Sequence, residues 1–195
     1  MFELIAGRVI DTYREPRMAA RMAIGELTSI TRALLVLGLA FCVGSILSIV
    51  LGALLGASSP GAGGSAIVTV LSGAISQVVA FFFIVVVILL GGRLFGGTGN
   101  FTQIAAITAW HHLAVAIIAP LLSPDFMIVA VESATGISLL AISIASLVSL
   151  WLQANLIAEA HGFRSVVKVM GVMIGIGLVV FWLVLIPLLR SALVA

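Results

Sequence analysis

Few side chains in this sequence could do chemistry, and they are thinly spread. His111 and His112 stand side by side inside an apolar stretch, and Gln77, Gln103 and Gln153 are further polar groups set within such stretches. Glu159 and His161 close another stretch, with Arg93 and Arg164 near the ends of their own. A neutral imidazole can bond across helices, relay a proton, or ligate a metal or haem, and ionisable groups at membrane depth are functional candidates by default. Spacing argues against a metal: neighbours on a helix point about 100° apart, whereas one ion is shared by residues at i and i+4. The remaining histidine, His161, is expected at a different depth. No cluster of Cys, His and Asp suits zinc, and no Ser, His and acid stand together as a hydrolase requires. The reading is therefore interhelical hydrogen bonding, with no catalytic residue, metal or cofactor. The alternative is a small transporter or binding protein with a polar cavity around His111 and His112, walled by Gln77, Gln103 and Gln153.

The elements that carry these residues are five apolar stretches at 33–56, 66–90, 104–122, 136–158 and 166–189. Each approaches the roughly 20 residues of a transmembrane helix. The 195-residue chain is 63% hydrophobic and 8% charged, with a mean hydropathy of +1.37, against about 25% charged in a soluble domain. The expected fold is an all-α integral membrane bundle of five spans over 33–195, preceded by an amphipathic arm over 1–32. A net charge of +2 without a basic, aromatic-studded stripe excludes nucleic acid as a partner. The one cysteine, Cys42, excludes an internal disulfide and reads as a small packing residue of the first span. The start does not look like a cleaved signal, because Glu3 and Asp11 interrupt it and the first apolar run follows Arg32.

Eight of the nine basic residues fall on one side of a five-span chain; Arg190 alone falls on the other. The positive-inside rule then puts the N-terminus in the cytoplasm and the C-terminus outside. In the arm, Phe2, Ile5, Val9 and Tyr13 recur at helical steps between charges, as in a helix lying in the interface plane. Pro16 ends that helix and can begin another.

Small residues mark the packing faces. Ala40, Gly44, Ser48, Gly52 and Gly56 recur every fourth position in the first span; Ala141, Ala145 and Ser149 do so in the fourth, and Gly171 and Gly175 in the fifth. Such ladders let helix backbones approach closely. The turn from Gly91 to Asn100 carries five glycines but no P-loop Lys-Ser/Thr, so it reads as a sharp turn, with Asn100 or Thr98 capping the next helix. Gly162 suits a helix C-cap after His161. Arg93, Glu159, His161 and Arg164 together make up the cytoplasmic face, with Glu159 placed to pair with Arg164 or with the arm.

Two stretches carry a family resemblance. Gly92-Arg93-Leu94-Phe95-Gly96-Gly97-Thr98-Gly99-Asn100-Phe101-Thr102-Gln103 resembles the cytoplasmic turn before the third span of the Yip (Ypt-interacting protein) domain family. Trp151 through Ala160-His161-Gly162-Phe163-Arg164-Ser165 is similar to that family's junction between spans four and five, and Tyr13-Arg14-Glu15-Pro16-Arg17 to the start of bacterial members. The resemblance implies a five-span bundle of a bacterial inner membrane with a cytoplasmic N-terminus. Eukaryotic relatives are associated with vesicle-trafficking GTPases and membrane shaping; without their long cytoplasmic N-terminal region, GTPase binding is not expected of this chain. The expected function is a non-enzymatic scaffold that organises lipid or binds another membrane protein or a second copy of itself, as an accessory subunit of a larger assembly.

Overall fold

The computed structural model describes residues 2–54, 66–122 and 136–194, and the described residues form helices with no strand among them. In chain order they are α1 (Phe2–Arg14), α2 (Pro16–Glu26), α3 (Ile30–Leu54), α4 (Ala66–Leu94), α5 (Phe101–Val115), a 3-10 turn at Ala119–Leu122, α6 (Gly136–His161) and α7 (Val166–Val194). Among the described residues, four helices are long and apolar enough to cross a membrane: α3 over Ile30–Leu51, α4 over Leu71–Leu94, α6 over Leu139–His161 and α7 over Val166–Leu183. Between 6% and 33% of each crossing window is buried within the protein. Their outer faces carry exposed Leu35, Ile49, Ile75, Phe83, Leu147 and Leu183, and such broad apolar surface suits lipid rather than water.

The expected third span takes a different form. At about 1.5 Å per residue, the 15 residues of α5 extend roughly 22 Å, short of the hydrocarbon core of about 30 Å. The remainder of 104–122 is a turn after Val115 and the 3-10 segment that buries Pro120. α5 is the axis of the bundle. Every residue from Ile104 to Val115 except His112 is buried, and α1 to α4 and α6 all pack on it. A helix apolar all round has no solvent face and belongs inside.

Asn100 starts α5 with a capping box. Its side chain accepts the Gln103 N–H at 2.9 Å, and the Gln103 side chain accepts the Asn100 N–H at 3.0 Å. These reciprocal bonds satisfy two otherwise free backbone donors. At the far end of α6, Gly162 takes φ +73; Gly162 N–H donates to Glu159 O and Phe163 N–H to Ala158 O. That pair of bonds is the Schellman motif, which needs a left-handed residue at its turn.

α1 and α2 fold into a hairpin around Glu15, with Pro16 opening α2 and an Arg8–Glu26 ion pair bridging the two helices. Ala19, Ala20 and Ala23 of α2 are buried against α5 and α6. At the other edge α7 packs chiefly on α6; among the described residues the buried core it borders ends at Ala160, with half-buried Val169 and Met173 packed against it.

Candidate functional site

The densest polar arrangement lies where the turn before α5 meets the end of α6, and it centres on His161. This ring is 2% exposed. Its Nε2 lies 3.2 Å from the Ile88 carbonyl and its Nδ1 3.3 Å from the Gly99 N. The carbonyl can only accept and the amide can only donate, so the bonds specify a neutral ring protonated at Nε2. Thr98 N–H closes the contact by donating to the His161 carbonyl at 3.2 Å. Glycine makes the pocket. A Cβ at Gly92 would overlap the ring, one at Gly97 would lie 2.5 Å from Nδ1, and one at Gly99 would lie 2.9 Å from the Ala160 carbonyl. Only Gly96 in this turn needs its conformational freedom, with φ +80. The turn is glycine-rich mainly for space.

The neighbouring polar groups clamp the arm. Arg17 donates to the Phe163 carbonyl at 2.8 Å and to that of Arg164 at 3.2 Å. Arg21 pairs with Glu159 at 3.0 Å. On α1, the Thr12 hydroxyl accepts from the Trp110 indole at 3.0 Å and the Tyr13 hydroxyl donates to Ala114 O at 2.7 Å. Burial of Tyr13 pushes its phenol pKa above the ordinary value.

The histidine pair is divided between helices. His111 Nε2 lies 3.2 Å from the Ser149 carbonyl and 3.3 Å from its hydroxyl, both on α6. His112 Nδ1 lies 3.4 Å from the Gln77 amide on α4. Their rings meet edge to face with centroids 6.0 Å apart. Gln103 is taken up in the capping box, far from them along α5. Gln153 stands apart again, on the wall of an apolar groove of about 900 Å³ between α4, α6 and α7. Of the five polar candidates, Gln77, His112 and His111 therefore meet, while Gln103 and Gln153 stand apart. Among the described residues no three His, Cys, Asp or Glu gather as metal ligands, and no buried side-chain nitrogen or oxygen lacks a partner.

The small-residue ladders split as well. Ala40 and Ala145 are buried within the chain, and Ser149 receives His111. A Cβ at Gly44, Gly171 or Gly175 would meet nothing within 4 Å, so those faces are open. Ala141 is half-buried and Ser48 exposed; Gly56, and the side-chain surroundings of position 52, lie outside the described residues. Cys42 is exposed on α3 rather than packed. Of the expected cytoplasmic face, Arg93 and Arg164 are exposed, Glu159 holds the arm, and His161 is the buried hub. The sequence reading passed over Arg17, Arg21 and Thr12. Their only signal was position in an amphipathic arm, which names no partner. The space-making role of Gly92, Gly97 and Gly99 was also missed, since a turn explains glycine equally well.

A family profile described as the Yip1 domain matches residues 10–186. No curated protein and no solved structure matches the chain.

Proposed function

This chain belongs to the Yip1 domain family, and on that premise we propose that it is a non-enzymatic scaffold of a bacterial inner membrane, one that organises lipid or holds another membrane protein as an accessory subunit. One observation carries the reading. His111 and His112 are turned inward and bonded to α6 and α4, while α3, α4, α6 and α7 present largely uncovered apolar faces. Such a molecule offers surface rather than a reaction centre. Gly44 supplies an open place for a second backbone on α3, where lipid gives helices no hydrophobic drive and close packing decides association.

The topology proposed is five crossings with the N-terminus in the cytoplasm. α4 and α6 end together, joined through Thr98 and His161. If both cross, the chain between residues 101 and 136 must return across the membrane, and α5 with its 3-10 extension supplies that passage. The shared end also carries Arg93, Arg164 and Lys168, which supports a cytoplasmic assignment.

Mild-detergent extraction from native membranes, with identification of retained proteins, tests the scaffold. A specific partner or a second copy should be retained and lost in Gly44→Ile, which has room for its side chain within the protein. A chain that runs alone, with no protein retained in any mild detergent, overturns the partner role.

A further inference from the structure

We propose that the groove between α4, α6 and α7 is a binding site for one anionic glycerophospholipid of the cytoplasmic leaflet. The groove encloses about 900 Å³, at the upper end of the roughly 300–1,000 Å³ typical of small-molecule sites. Its mouth carries Arg164 and Lys168. Among the described residues neither side chain is in an ion pair, whereas the nearby Glu159 is already held by Arg21. The mouth therefore presents uncompensated positive charge to a phosphate. Below it the walls are apolar, from Phe95 down to Phe83 and Ile176. From Ser165 to Gly177, both on the lining, α7 advances about 18 Å at 1.5 Å per residue. One leaflet of a hydrocarbon core about 30 Å thick is roughly 15 Å deep, so the groove takes an acyl chain lying along the bilayer normal.

One polar group interrupts the apolar wall. Gln153 lines the groove, and its amide makes no hydrogen bond with any described residue. It lies about 12 Å along α6 from His161, below the two cations. An amide there can donate to an ester carbonyl while the phosphate stays at the mouth. Charge above, a donor below it and an apolar slot one leaflet deep match a phospholipid in its bilayer orientation. A partner helix would leave Arg164 and Lys168 unanswered.

The inference deepens the lipid-organising part of the proposed function and rests on the Arg164 end being cytoplasmic. Native mass spectrometry of the full-length protein in mild detergent, with equal phosphatidylglycerol and phosphatidylcholine added, is the test. Phosphatidylglycerol should be retained in preference, by about thirtyfold for two basic side chains at a lipid phosphate. Arg164→Gln/Lys168→Gln should abolish the preference, and Arg14→Gln, an exposed arm cation away from the groove, should leave it unchanged. Gly171→Leu fills the slot with both cations in place, and its Cβ meets no neighbour, so retention should fall while the protein stays folded. Equal retention of the two lipids, or a preference that survives both groove variants, overturns the proposal. So does crosslinking of a second copy into the groove. Equal retention of the two lipids by the unaltered protein, with partner retention intact, would sink the groove alone and leave the scaffold standing.

Discussion

His161 is the residue on which the shared end of α4 and α6 turns, and its energetics are set by the space three glycines leave. Gly92→Ala drives a methyl group into the ring, a small-to-large change in a packed site that costs about 1–3 kcal/mol. It should appear as a lowered melting temperature in detergent. His161→Ala removes the ring and leaves Ile88 O and Gly99 N–H without it. The double variant Gly92→Ala/His161→Ala should then be milder than the two effects added, because the methyl has somewhere to go; groups in contact typically couple by about 0.5–3 kcal/mol. Strict additivity would mean the overlap is not the source of the cost. Tyr13 gives a second residue-level prediction. It is the only tyrosine in the chain, so phenolate absorbance reports it alone. Burial raises its folded pKa, so its contribution to arm docking is whole below about pH 10, the unfolded value. That contribution is lost as pH rises through the higher folded value. Titration at the ordinary position would mean the phenol is not held against Ala114.

At the scale of elements, the arm is a docked hairpin, and its two arginines should contribute unequally. Arg17 donates to two carbonyls just past the end of α6, and charge-assisted hydrogen bonds are worth roughly 1.5–3 kcal/mol. The Arg21–Glu159 pair has a side chain 67% exposed on the arginine side and belongs with surface pairs worth up to about 1 kcal/mol. Limited proteolysis of the arm should therefore accelerate more in Arg17→Ala than in Arg21→Ala; the reverse order would refute this ranking. The sequence made the arm legible as an amphipathic helix broken at Pro16, and both halves exist. It did not reveal what the apolar side covers, because alanines such as Ala19, Ala20 and Ala23 suit lipid, a neighbouring helix or a second chain alike. The same ambiguity hid α5. Burial in protein and burial in lipid select the same side chains, so an internal helix and a lipid-facing one read as equal runs. The capping residue Asn100 and the stop at Gly162 were readable, since each rests on local backbone chemistry.

For the whole molecule, the testable consequence is placement of the two ends. The proposed five crossings would set reporters fused at Met1 and Ala195 on opposite sides of the membrane; a matched pair of signals would mean that the passage through α5 is not made. Among the described residues, four of the five apolar stretches stand as helices long and apolar enough to cross a membrane, where length and hydropathy alone suffice. The polar candidates could be named from the sequence as residues, but not their partners. Nothing in one-dimensional spacing says that His111 turns to Ser149 while His112 turns to Gln77.

The last helix leans chiefly on one neighbour, and among the described residues every fully buried member of the core lies before it. A nascent chain still tethered to the ribosome just past residue 165 thus already holds all of those side chains. The interior can knit before the final segment leaves the insertion machinery, and that segment then arrives as a wall added to a finished room.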